Sequence, residues 1–299
     1  MMSETDAQSI AITGPAPRVS EFRRFRRVFL KRGLVVFGMI VIMTLILVAI
    51  FAPWLAPYDP YMPDLDHRLS QPSQTHLLGT DTLGRDTLSR IIHGARTSLM
   101  IGLIVVGLAS VIGMSLGMIA AYLGGWVYTI IMRLIDVLMT FPMILLALVI
   151  AAMLGEGIRN VIIALTVGLV PVYARLMCGQ VLTIRENEYI MAERAMGASN
   201  LRIMLHHLIP NSLPSLIVLM TMMLGTTVLA EAGLSFLGVG IEAPTAAWGS
   251  MINDGREYLL THPILSFAPG LAIMLLVFAF NMVGDGLRDA LDPRLRGLL

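Results

Sequence analysis

The residues best placed to do chemistry fall between positions 187 and 211. Glu188, Glu193 and Arg194 supply charge, His206 and His207 supply imidazoles, and Gly197 and Pro210 punctuate the backbone. Adjacent histidines point in different directions on a helix, and no matching ligand lies near them, so they make a poor metal site. No Ser-His-Asp arrangement, catalytic carboxylate pair or metal-ligand spacing stands out in the chain, and no catalytic or metal-binding residue is assigned. The spacing supports recognition instead. Residues 187–196 are good helix formers in which Ile190, Ala195 and Met196 alternate with Glu188, Glu193 and Arg194, giving a greasy and a charged face. Gly197 stands where a helix end favours a left-handed residue. Ser199 can cap a second short helix, and Pro210 is expected to stop it. Two such helices either lie on a membrane surface or insert into a groove of a partner protein.

Phosphate chemistry of the P-loop type is excluded. That loop ends in Gly-Lys-Ser/Thr, whereas the single lysine, Lys31, follows Leu30. The lone cysteine, Cys178, rules out an intramolecular disulfide and reads as a small apolar filler. Asp81, Arg85 and Asp86 read as a structural ion-pair cluster in preference to a substrate site. The 22 methionines scatter through apolar stretches as adaptable packing.

The elements that must carry these residues are set by composition. Of 299 residues, 56% are hydrophobic and only 14% charged, with a mean hydropathy of +0.78. A water-soluble domain has roughly 25% charged residues, so most of this surface faces lipid. Nothing suggests a nucleic-acid surface. Residues 1–20 read as a disordered tail rich in Ser, Thr, Ala and Pro. A basic run of Arg23, Arg24, Arg26, Arg27, Lys31 and Arg32 follows, and then Leu34 to Ala56 carries no charge, enough to cross a core of about 30 Å. That stretch is too long for a signal peptide and ends in Trp54 and Tyr58, which suit a membrane interface. Further spans are expected near 97–122, 134–154 with a kink at Pro142, 160–178, 212–236 and 264–286. Gly124-Gly125 turns the chain after the second, and Gly113 with Gly117 offers a small-xxx-small contact. The predicted fold is an all-α membrane protein of six transmembrane helices. Its divisions are a tail at 1–33, a first helix at 34–56, an external segment at 57–96, a five-helix core at 97–287 containing the loop 182–211, and a second tail at 288–299.

Charge sets the expected orientation. Seven of the 21 lysines and arginines fall within residues 18–32 and three within 288–296, with Arg133, Arg175, Arg185, Arg194 and Arg202 on the same side. Only Arg68, Arg85, Arg90, Arg96, Arg159 and Arg256 fall on the other. The positive-inside rule therefore puts both termini in the cytoplasm.

The stretch from Glu188 to Asn211 resembles the EAA loop of ABC importer permeases: Glu-Ala-Ala, three residues, Gly, nine residues, then Ile-x-Leu-Pro. In register, Ala192 matches the first alanine, and Gly197 and Pro210 match the glycine and proline. Met191 replaces the motif's Glu, Glu193 its second alanine, and His207 and Ile209 its Ile and Leu. His76 to Leu99, Glu231 to Gly238 and Gly284 to Arg296 are similar to stretches of dipeptide, oligopeptide and nickel permeases, and the long basic tail before the first span resembles their second, C-type subunit. The resemblance implies a type I importer permease fold with cytoplasmic coupling helices in a bacterial inner membrane. It implies a second permease subunit, two ATP-binding subunits holding ATP and Mg, an extracytoplasmic substrate-binding protein, and no cofactor in this chain. The coupling residues implied are Glu188, Ala192, Glu193, Arg194, Gly197, Ala198 and Pro210. Glu231, near the end of the fifth span, either lines the translocation path, contacts the binding protein or sits at the external interface. Di- and oligopeptides are the expected cargo, with nickel chelates or glutathione as alternatives. An ion-driven secondary transporter is the rival class; it calls for ionisable groups at mid-span and an internal repeat, and neither is evident.

Overall fold

In lipid the backbone must satisfy its own hydrogen bonds, and long apolar runs without charge do so as helices. The computed structural model describes residues 29, 30 and 32–291; the tail and most of the basic run at 1–28, Lys31, and residues 292–299 with Arg294 and Arg296 lie outside the described residues. Among the described residues every long element is helical, with one isolated antiparallel bridge between Thr80 and Asp86. The long helices are α1 (Gly33–Ile50), α3 (Thr87–Leu123), α6 (Ile158–Ile184), α9 (Ile209–Phe236) and α11 (Ile264–Leu291). Short helix α2 (Ala52–Leu55) follows α1, and α4 (Gly125–Met139) and α5 (Met143–Leu154) form a pair bent by 89°. Helices α7 (Glu188–Ala195) and α8 (Asn200–Ile203) lie in the long loop, and α10 (Trp248–Gly255) lies at the opposite end. Five single spans plus the bent pair bear out the expectation of about six.

The core sits where α3, α6 and α9 meet, around Ile101, Val105, Leu165, Leu169 and Tyr173. Glycine lets α3 and α6 approach. A Cβ on Gly113 would lie 2.6 Å from the Tyr173 Cβ, and one on Gly117 would strike the Ala174 backbone. The small-xxx-small pair is therefore a packing seam. Helix α1 reaches α11 in the same way, because a Cβ on Gly38 would meet the Ala279 carbonyl at 2.9 Å. Arg32 and Asp289 close that pair at 2.5 Å.

Several boundaries differ from expectation. Helix α3 starts at Thr87, ten residues early, because the Asp86 carboxylate accepts from the Ser89 amide at 2.8 Å and caps it. At about 1.5 Å per residue α3 is roughly 55 Å long, so it extends well beyond the hydrocarbon. The third span starts at Gly125: Gly124 and Gly125, at φ +68° and +52°, reverse the chain without an intervening loop. Pro142 breaks it completely. Pro210 does not stop the second loop helix. A π-turn over Met204–Leu208 carries the chain from α8 into α9, and Pro210 falls in the first turn of α9, where the missing N–H leaves no helical bond unmade.

Far from the loop, the ion-pair reading of Asp81 and Arg85 holds. Arg85 Nε donates to Asp81 Oδ2 at 2.7 Å, and the third member is Arg90 at 3.5 Å. Asp86 caps α3 and pairs with His76 at 3.0 Å instead. Burial raises the Asp254 carboxyl above its usual range, opposed by Arg90 and Arg85. The buried Trp248 of α10 fills the space over Gly94 and donates to the Ile91 carbonyl at 3.0 Å.

Candidate functional site

The loop between α6 and α9 is built on a glycine hinge. Helix α7 carries Glu188 in its first turn and Arg194 in its last, each matched to the adjacent end of the helix dipole. It closes in a Schellman motif. The Ala198 amide donates to the Glu193 carbonyl at 3.0 Å, and the Gly197 amide to the Arg194 carbonyl at 3.0 Å. Gly197 holds φ +82°, the left-handed value expected of it, and its Cβ direction is open space. Ser199 then caps α8, accepting from the Arg202 amide at 3.3 Å.

One face of this hairpin is anchored. Ile190, Ile203 and Leu208 are fully buried and join the main core, with Ala198 packed beside them. Glu193 turns inward, its Oε1 3.5 Å from His207 Nε2. Asn211 Nδ2 donates to the His207 carbonyl at 2.6 Å and to the Tyr189 hydroxyl at 3.4 Å. These contacts tie α7 to the start of α9. A second anchor joins the loop to the end of α3. The Arg194 guanidinium lies 5.1 Å from the Tyr122 ring centroid, and the Tyr122 hydroxyl donates to Asn200 Oδ1 at 2.9 Å. Arg185 Nη1 adds a bond to the Ala121 carbonyl at 2.7 Å. The loop therefore moves with α3 and α6 or strains these contacts.

The other face is bare. Met196 is 76% exposed, Leu201 64% and Met191 52%, with Glu188 and Ala192 exposed among them. Large apolar side chains clustered on a polar loop make an exposed apolar ridge of the kind that marks interaction surfaces. Of the sequence-selected residues, Glu188, Ala192, Glu193, Arg194, Gly197 and Ala198 converge here, and Pro210 stands behind at the base of α9. Glu231 lies elsewhere. It is 1% exposed in α9, and accepts from Ser235 Oγ at 2.9 Å and from Ser98 Oγ of α3 at 3.3 Å. Sequence reasoning did not single out Tyr122, and it gave Arg185, His207 and Asn211 no part in holding the loop. Nothing local to Tyr122 signals that its partners, Arg194 and Asn200, lie far along the chain.

With this geometry in view, comparisons with known proteins agree closely. A family model described as "Binding-protein-dependent transport system inner membrane component" matches residues 113–297, and one described as "N-terminal TM domain of oligopeptide transport permease C" matches residues 20–72. The dipeptide transport system permease protein DppC of Alkalihalophilus pseudofirmus is 44% identical, over 93% of this chain and 91% of that protein. The glutathione transport system permease protein GsiD of Escherichia coli is 45% identical, over 92% of this chain and 90% of that one. In fold the chain is similar to an inward-facing structure of the MetNI methionine ABC transporter, with a TM-score of 0.55, 23% identity, and coverage of 67% of this chain and 96% of the other.

Proposed function

The chain belongs to the family of binding-protein-dependent transport system inner membrane components, and from that membership we propose that it is a permease subunit of an ATP-driven importer of short peptides. The observation that carries the coupling role is the two-faced loop: an exposed ridge of Met191, Met196 and Leu201 on a hairpin bonded to α3 and α6. ATP is hydrolysed by two partner subunits. Their closure pulls on residues 187–209, and the pull passes through Tyr122 and Arg185 into the spans. Glu188 and Ala192 meet the ATP-binding subunit directly. Glu193 and Arg194 hold the hairpin in shape, and Gly197 with Ala198 sets its turn.

A second permease subunit completes the path, and a substrate-binding protein delivers cargo from outside. Both termini face the cytoplasm, residues 57–96 lie outside, and 182–211 inside. Short peptides are the preferred cargo on the likeness to the dipeptide permease; the equal likeness to the glutathione permease supports a tripeptide thiol as the second reading.

The test is uptake of labelled dipeptide, glutathione and nickel by cells with and without this chain. Dipeptide uptake that needs the chain and cellular ATP supports the reading. Uptake that persists after ATP depletion but collapses with the proton gradient overturns it.

A further inference from the structure

Charged side chains and broken backbone are costly against lipid, and α4 exposes both. The bend between α4 and α5 leaves Thr140, Phe141 and Pro142 exposed. On the same helix Arg133 and Asp136 are one turn apart, and Asp136 pairs with Arg175 of α6. Those two side chains are 46% and 51% exposed, so the pair is not sealed in the core. Arg133 makes no ion pair with any described residue. Neither arginine sits at a helix end. At about 1.5 Å per residue, Arg133 is roughly 12 Å along the axis from Gly125, and Arg175 roughly 14 Å from Ile184. The sequence had placed both on the loop side without depth; the helices put them a similar distance inside it.

Between them runs a cavity of about 530 Å³. Its walls are one stripe of α4, with Thr129, Arg133 and Asp136, and one stripe of α6, with Arg175, Cys178 and Gly179. Gly179 leaves the α6 wall low. The volume falls within the roughly 300–1,000 Å³ of small-molecule sites. The charges are two cations and one anion, with Arg133 and Asp136 in i,i+3 relation and so about 5–6 Å apart at Cβ. An extended dipeptide separates its ammonium from its carboxylate by a similar distance, at about 3.3–3.6 Å per residue.

We propose that this groove is a way station for the zwitterionic peptide on the loop side of the translocation path: Arg133 receives the terminal carboxylate, and Asp136 shares its carboxylate between Arg175 and the peptide ammonium. The inference rests on the peptide reading above. An anionic phospholipid headgroup offers Arg133 the same chemistry, but the Asp136 carboxylate inside the site repels a phosphate that brings no cation of its own.

The experiment uses the full transporter reconstituted in vesicles, with Thr129→Cys in a Cys178→Ala background. The Thr129 hydroxyl bonds only within its own helix, to the Gly125 carbonyl. An impermeant thiol reagent is added on the side of the ATP-binding subunits, with and without alanylalanine. Labelling that the dipeptide slows about fivefold, as mass action gives for a site roughly four-fifths occupied, is the expected result. Adding Arg133→Gln should abolish the protection and leave labelling intact. Three outcomes overturn the site: no labelling from that side, labelling the dipeptide does not slow, or labelling blocked without peptide and released when anionic lipid is replaced by phosphatidylcholine. Dipeptide uptake is measured in parallel. Its absence sinks the peptide reading, and the way station with it; normal uptake with unprotected labelling sinks the way station alone.

Discussion

Tyr122 and Gly197 are the two residues through which the proposed coupling is best tested. Tyr122 gives Arg194 a ring face and Asn200 a hydroxyl, worth about 0.5–1 kcal/mol for an exposed cation–π contact and about 0.5–1.5 kcal/mol for the hydrogen bond. Tyr122→Phe should cost only the second and reduce uptake modestly. Tyr122→Ala loses both, and ATP hydrolysis should continue while uptake falls several-fold; paired ATPase and uptake assays in vesicles read the difference, and equal uptake by the two variants would remove Tyr122 from the linkage. Gly197 makes a separate prediction. Alanine there must adopt φ +82° at a cost of roughly 1–2 kcal/mol, yet meets no neighbour, so the loop should survive with weakened coupling. Tryptophan carries the same strain and also projects into the open space where the proposed ATP-binding partner would dock. Gly197→Trp should therefore release the ATP-binding subunits on purification in mild detergent, whereas Gly197→Ala should retain them. The glycine was legible because a helix end, a cap and a turn are local signals. Tyr122 was not, since its partners lie 72 and 78 positions away and no local pattern encodes that distance.

At the scale of elements, the α3–α6 seam sets how the loop is held. Gly117 packs on the backbone of Ala174, which has no rotamer to yield. Overpacking costs about 1–3 kcal/mol even where side chains can shift, and Gly117→Leu should exceed that range. A thermal scan of the detergent-purified transporter should show an earlier transition, with Gly107→Ala as a comparison at a position of the same helix that has open space. An unchanged transition for Gly117→Leu would mean the two helices do not pack as described. The glycine spacing suggested this seam, but spacing cannot name the facing helix. The bent third span was half legible: Pro142 announced a kink, while a full break at 89° depends on what α4 and α5 each pack against. Pro210 was misread because proline ends a helix only when its missing N–H is needed. A π-turn upstream, unreadable from residue types, put it in a first turn.

At the scale of the molecule, the proposed coupling makes the arrangement a relay. One end presents a bare ridge, the α3–α6 seam joins it to the spans, and the far end is stiffened by Asp81, Arg85, Arg90 and Trp248. Orientation decides which end meets ATP. A reporter fused after Leu299 should be active only if it works in the cytoplasm; activity of an external reporter there would invert the relay and separate the ridge from its motor.

Residence in the membrane, the span number and the family were determined by the sequence alone. They depend on the amount and periodicity of apolar surface and on local turn chemistry, which are written in neighbouring residues. The loop motif belongs to the same class, because a helix, a left-handed glycine and a cap occupy a dozen consecutive positions. Only the tertiary structure decided that Glu193 faces His207, that Glu231 is sealed between Ser98 and Ser235, and that Arg133 and Arg175 share one cavity. Those outcomes follow from which helices lie side by side. A charge selects its partner by proximity in space, and proximity is set by packing far from the residues concerned.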